Sequence, residues 1–239
     1  MTPPQGGPRP VLLVVDTGVD DALAILAAHR HPGLHLVGVV AAAGNVSLAR
    51  AAANSRAVLD LLGCPAPLLR GAAVRTDGRS FGERAVHGPD GLAGLGPPRP
   101  LTATETAALP ALDAAMLREL ERHASRHLQV VCLAPLTSLA GLPVSPVLAS
   151  YARPGQANHT MDPDAADRLV AGALRHLACD GAPPDLPEPI PRTDGVAGLG
   201  LALLEHQRGR RAGLGDAAGV LRLAGAARPG RVLLGLLTR

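Results

Sequence analysis

Aromatic side chains are nearly missing: one Tyr, one Phe and no Trp, 1% of 239 residues. A core without rings must be aliphatic, built from Leu, Val and Ala. The same shortage argues against single-strand nucleic-acid binding, which uses rings as stacking platforms. Lysine is absent, so all 23 basic side chains are Arg, and the formal charge is only +3. These Arg residues are scattered, apart from Arg208 to Arg211, a stretch that reads as a solvated face or loop. No nucleic-acid partner is expected. Cysteine is sparse too. Cys64, Cys132 and Cys179 show no metal-ligand spacing, and an odd count without a framework suggests reduced thiols. No apolar run approaches the length that spans a bilayer. Met1 to Pro10 is rich in Pro and Gly, lacks the apolar centre of a signal peptide, and is expected to be a flexible N-terminus. A soluble cytoplasmic protein with no membrane partner is the expectation.

Hydrophobic residues make up 47% of the chain, and the mean hydropathy is +0.19. That is enough apolar surface for one domain, expected over residues 11–239. Val11 to Val15 is a continuous apolar run, as in a strand covered on both faces. An acidic turn follows, then a helix over Asp21 to Arg30. Leu34 to Ala43 reads as a second strand. Ser47 to Leu62 reads as a helix stopped by Gly63. Pro67 to Arg70 is a third, short strand. This order predicts an α/β fold, a mostly parallel open sheet with helices on both faces. Arg75 to Pro100 reads as a long loop of the kind that often carries function. Thr104 to His127 reads as a helical region and Leu128 to Leu133 as a buried strand. Pro143 to Pro154 reads as irregular. Asp162 as N-cap and Pro163 at the first helical position open a helix through Leu174. Pro183 to Thr193 reads as a linker or loop, Val196 to Leu204 and Asp216 to Leu223 as helices, and Arg231 to Leu237 as a last strand.

The chemistry concentrates in Asp16-Thr17-Gly18-Val19-Asp20-Asp21. In open α/β sheets, ligands bind outside the carboxyl ends of the strands. Three carboxylates this close repel one another unless a cation sits among them, and hard cations such as Ca²⁺ take carboxylate and carbonyl oxygens. Taken singly, Asp20 or Asp21 reads as a residue capping the next helix.

Val14 to Ala24 resembles the N-terminal signature of the inosine-uridine-type nucleoside hydrolases. The likeness continues in Gly44-Asn45-Val46, in Asn54 with Val58-Leu59 and Gly63, in Gly71, in His87-Gly88-Pro89-Asp90-Gly91-Leu92, and in Leu133 to Ala140. It covers about residues 11 to 140. The resemblance implies a nucleoside hydrolase-like fold and hydrolysis of the N-glycosidic bond of ribonucleosides, as in purine and pyrimidine salvage. It implies Ca²⁺ bound by Asp16, Asp21, the Thr137 carbonyl and Asp216, with Asp20 as general base on a metal-bound water. Such chemistry passes through an oxocarbenium-like sugar and needs an activated water beside negative charge. Asn45 would contact the ribose and His87 would lie near the base. The partner would be a small nucleoside, and dimers or tetramers are typical of the family.

The chain departs from the pattern in places. Val14 stands where the family usually has Asp. In the segment before Asp162-Pro163, Asn158 is kept as a ribose ligand, but Gln156 replaces a Glu and Ala157 a Phe. Gly215 stands before Asp216 where the family has a His, a candidate acid for the leaving group. His87, His159 and His206 are alternatives for that role. The chain also ends earlier than family members usually do. These losses keep a second reading open, a degraded relative that binds a ribosyl ligand or a partner without turnover. A third, a metal-dependent phosphohydrolase, predicts Mg²⁺ preference and phosphate release.

Overall fold

The computed structural model describes residues 7–81, 87–124, 128–144, 147–149 and 157–171. Strands β1 (Arg9–Val15), β2 (Leu34–Ala41), β3 (Leu68–Arg70), β4 (Gln129–Cys132) and β5 (Val147–Ala149) form one sheet in the order β3-β2-β1-β4-β5. All pairings are parallel, as the alternation of strands and helices predicts.

β1 lies at the centre, and its side chains divide the core. Val11, Leu13 and Val15 face α1 (Val19–Arg30) and α2 (Leu48–Leu62). Leu12 and Val14 face Leu117 of α4 (Ala114–His123), the 3-10 turn Leu136–Leu139, and Leu169 of α6 (Pro163–Ala171). Both faces are therefore covered by aliphatic side chains, the arrangement that a ring-poor sequence requires. α1 is buried at every position from Asp21 to Ala28. α2 starts at Ser47, whose hydroxyl accepts the Arg50 N–H, and stops at Gly63 in the left-handed region, φ 58°.

The structure differs from the sequence reading in four places. β1 begins at Arg9, because the Arg9 N–H reaches the Gly33 carbonyl, so the N-terminal segment is ordered two residues earlier. α1 begins at Val19 rather than Asp21. The helical region expected from Thr104 is split into α3 (Ala103–Ala107) and α4. Pro110 lies between them, where a missing N–H and a ring clash stop a helix. The intervening chain pairs with the sheet edge: the Arg70 N–H donates to the Pro110 carbonyl, and the Leu112 N–H donates to the Arg70 carbonyl. Finally, Pro143 to Pro154 is not wholly irregular, since it contains β5. After the short helix α5 (Ala157–Met161), α6 opens at Pro163 as expected and is described to Ala171. The elements expected beyond residue 171 lie outside the described residues. No helix among the described residues is long and apolar enough to cross a membrane.

Candidate active site

The carboxyl ends of β1, β2, β3 and β4 bring the motif-bearing turns of the sequence to one edge of the sheet. Asp16 follows β1 directly and is 2% exposed. Its Oδ2 accepts the backbone N–H of Asn45, at the end of β2, at 2.6 Å. A side chain on Gly44 would run into the Asp16 carboxylate and the ring of Pro135. That absence of a Cβ lets the loops after β1, β2 and β4 meet.

Asp21 is also 2% exposed. It sits in the first turn of α1, and its Oδ2 accepts the Gly18 N–H at 2.9 Å. The helix-capping alternative for Asp21 is thus realised, but one bond does not use up a carboxylate. Burial raises the Asp16 carboxyl to about 7 against the Asn45 N–H, with the Asp20 charge adding to the rise and a hydrogen bond from Asp21 opposing it. Asp21 is held well above the usual carboxylate range by burial, then by repulsion from Asp20 and Asp16. Buried carboxylates this close together are pushed toward the neutral form, and a hard cation among them would relieve both the burial and the repulsion.

Asp20 is more open, its side chain 22% exposed. His87 Nε2 lies 3.3 Å from Asp20 Oδ1. On the other side of the ring, Nδ1 accepts the Val19 N–H at 3.2 Å. That bond makes Nδ1 the acceptor, so the proton of the neutral imidazole sits on Nε2, toward Asp20. Burial lowers the His87 pKa, opposed by the Asp20 charge. The ring is packed over Gly18, where an added Cβ would stand 2.5 Å from Nε2.

The loop carrying His87 is tied to the acidic loop by Asn54 of α2. Its Nδ2 donates to the Thr17 carbonyl at 3.1 Å and to the Asp90 carbonyl at 2.8 Å. Thr17 and Ser55 share a further hydroxyl bond of 2.6 Å. Asp90 accepts the N–H groups of Leu92, Gly94 and Gly96, which shapes the loop.

On the β4 side, Asn158 Nδ2 donates to the Leu133 carbonyl at 2.8 Å. Thr137 follows in the 3-10 turn. Its carbonyl accepts the Ala140 N–H at 3.2 Å, which leaves one carbonyl lone pair for a cation. Its hydroxyl donates to Asp162 Oδ2 at 2.6 Å. Asp162 is therefore more than an N-cap. Burial disfavours its ionised form, but bonds from Thr137, Thr76 and Ala165 outweigh that and hold the carboxyl below its ordinary value.

The structure thus brings Asp16, Asp20, Asp21, Asn45 and His87 to one edge of the sheet, with Thr137 in the turn after β4 and Asn158 of α5 bonded to the Leu133 carbonyl beside it. Gln156, Asp216 and Gly215 lie outside the described residues. Among the described residues, no three His, Cys, Asp or Glu side chains form a metal-binding group. The described oxygen donors that would hold a hard cation are Asp16, Asp21 and the Thr137 carbonyl. Asn54 and Asp162 belong to the site's framework. Sequence offered Asn54 only as a motif position and Asp162 only as a cap, since their long-range partners leave no local pattern.

Residues 11–144 match the family model described as inosine-uridine preferring nucleoside hydrolase. The chain belongs to this family. Among its relatives is a Corynebacterium ammoniagenes protein of uncharacterized function, 40% identical over 85 residues, 34% of this chain and 90% of the relative. A second is a non-specific ribonucleoside hydrolase of Klebsiella pneumoniae, 32% identical over 131 residues, 55% of this chain and 42% of the relative. Among solved structures, the purine-preferring ribonucleoside hydrolase of Gardnerella vaginalis superposes with a TM-score of 0.58 at 24% identity. That superposition covers 70% of this chain and 59% of the other, and shows a shared fold. The chain therefore spans less than half of the Klebsiella enzyme's length. The family match ends at residue 144, so it takes in the acidic loop, Asn45, His87 and Thr137 but not Asn158 or Asp162.

Proposed function

We propose that this chain hydrolyses the N-glycosidic bond of ribonucleosides to ribose and free base, with Ca²⁺ held by Asp16, Asp21, the Thr137 carbonyl and Asp216. The observation that carries this reading is the pair of buried carboxylates Asp16 and Asp21, beside Asp20 at the carboxyl edge of a nucleoside-hydrolase sheet. A bound hard cation supplies Lewis acidity, lowers the pKa of a water and grips vicinal ribose hydroxyls.

The chain's own groups do the rest. Asp20, the most open of the three carboxylates, takes a proton from the attacking water. The water oxygen bonds to C1′ as the C1′–N bond breaks, and the bond's electron pair leaves with the base, which then takes up a proton. His87 Nε2 stands 3.3 Å from Asp20 Oδ1 and flanks that carboxylate. Its Nδ1 is occupied by Val19, so in this arrangement the ring serves Asp20 rather than the departing base. Asn45, Asn158 and Gln156 are the proposed ribose contacts. We read the protein as a cytoplasmic enzyme of small molecules, assembling as a homo-oligomer.

The test is release of reducing sugar from inosine and uridine with and without EDTA. Turnover is expected only with the metal present. Asp20→Ala should lower kcat/KM on the order of 10²–10⁴-fold, the usual worth of a general base, while Ca²⁺ binding persists. Folded, Ca²⁺-loaded protein that releases base from no nucleoside refutes the reading. Gln156 and Gly215, standing in place of Glu and His, support the second reading, binding without turnover. Calorimetric nucleoside binding with no sugar release would select it.

A further inference from the structure

An N-terminal helix cap needs one acceptor, yet the Asp162 carboxylate takes four hydrogen bonds. Oδ1 accepts the Ala165 N–H at 3.2 Å and the Thr76 hydroxyl at 2.6 Å. Oδ2 accepts the Thr76 N–H at 2.8 Å and the Thr137 hydroxyl at 2.6 Å. All four acceptor positions of a carboxylate are then filled, on a residue 1% exposed. Only the Ala165 bond serves α6. The other three bind the segment after β3 and the turn after β4, both at the edge of the sheet that carries Asp16.

The neighbouring contacts fix the same turn. Ser138 Oγ accepts the Ala72 N–H at 2.9 Å. Gly71 sits so close that an added Cβ would stand 2.5 Å from Ser138 Oγ. Pro135, one step ahead, bounds the space between Gly44 and Asp16. The turn is tied at Ser138 and abutted by Pro135, and between them the Thr137 side chain is held by Asp162, while its carbonyl also accepts the Ala140 N–H.

We propose that Asp162 is a positioning residue for the cation site, fixing Thr137 so that its carbonyl is presented in one arrangement. This rests on the Ca²⁺ reading above. Groups that orient a metal's ligands commonly change affinity by about 10–100-fold when removed. Thr137→Val removes the hydroxyl with little change of shape, whereas Thr137→Ser keeps it. Asp162→Asn keeps the size but turns its NH₂ toward groups that are all donors.

The experiment is calorimetric titration of the metal-stripped full chain with Ca²⁺ alone, with circular dichroism in EDTA to establish folding. Thr137→Val and Asp162→Asn should weaken Ca²⁺ binding by about 10–100-fold, and Thr137→Ser should stay within about threefold of the wild type. The Ca²⁺ concentration giving half-maximal turnover should rise in parallel. If Asp162→Asn does not fold, the Val and Ser pair decides, because Asp162 keeps its other three bonds in both. A folded Thr137→Val chain with wild-type Ca²⁺ affinity overturns this proposal alone. A wild-type chain that takes up no Ca²⁺ overturns the metal reading and this proposal with it.

Discussion

Gly44 has room for nothing larger than hydrogen, because Asp16 and Pro135 close over it from two other loops. Gly44→Ala should therefore displace the Asp16 carboxylate and weaken Ca²⁺ binding about tenfold or more, the scale seen when support of a metal ligand is lost. Calorimetry on the folded variant checks this, and unchanged affinity would remove Gly44 from the site. The acidic residues were readable in the sequence because they lie within six positions of one another. Their proposed roles came from the family resemblance, but their difference in burial was not legible. Two are buried and one is open, which follows from how α1 rotates out of Gly18. Likewise His87 could be assigned to a motif, but its bond to Val19 and approach to Asp20 depend on a loop returning from far along the chain.

At the scale of elements, α2 does two jobs. One face packs Ala51, Ala52, Val58 and Leu59 against the sheet, and Asn54 ties the acidic loop to the His87 loop. Asn54→Ala would leave two carbonyls without their donor and should destabilise the fold by about 1–3 kcal/mol, measurable by urea unfolding. The effect on kcat/KM should exceed that of Leu12→Ala, a core change expected to cost as much stability or more, about 2–5 kcal/mol. Equal losses of activity at equal stability would mean that Asn54 only supports the core. β1 and the end of β2 were legible because both faces are buried there, giving apolar runs over residues 11–15 and 39–41. β5 was hidden by three residues among prolines, and the α3–α4 break was masked by apolar periodicity on both sides of Pro110.

For the molecule as a whole, the buried carboxyls couple stability, pH and metal. Asp16 titrates near 7 in the folded chain against an ordinary 3.8, raised chiefly by burial. Folding then binds protons between those values, so the metal-free protein loses stability as pH rises through that window. On the proposed reading, Ca²⁺ binds the ionised form and offsets the loss. The rise in Tm on adding Ca²⁺ should accordingly be larger at pH 8 than at pH 5.5. Thermal melts with Ca²⁺ and with EDTA at both values check this; an equal rise at both would show that these carboxyls do not titrate with the metal. The parallel α/β plan was foreseeable from the order of elements. The roles assigned to Gln156 and Asp216 rest on sequence.

β1 is the middle strand of the sheet, yet it comes first in the chain, with β2 close behind on one side and β4 over a hundred residues later on the other. During synthesis at roughly 5–20 residues per second, the aspartates emerge on the order of ten seconds before Thr137 does. Until then the nascent chain carries a half-built sheet with an open edge and a knot of acid that has neither its clamp nor its full set of oxygens. On the proposed reading, the oxygens that would hold the ion are together only once the chain beyond β4 has been made.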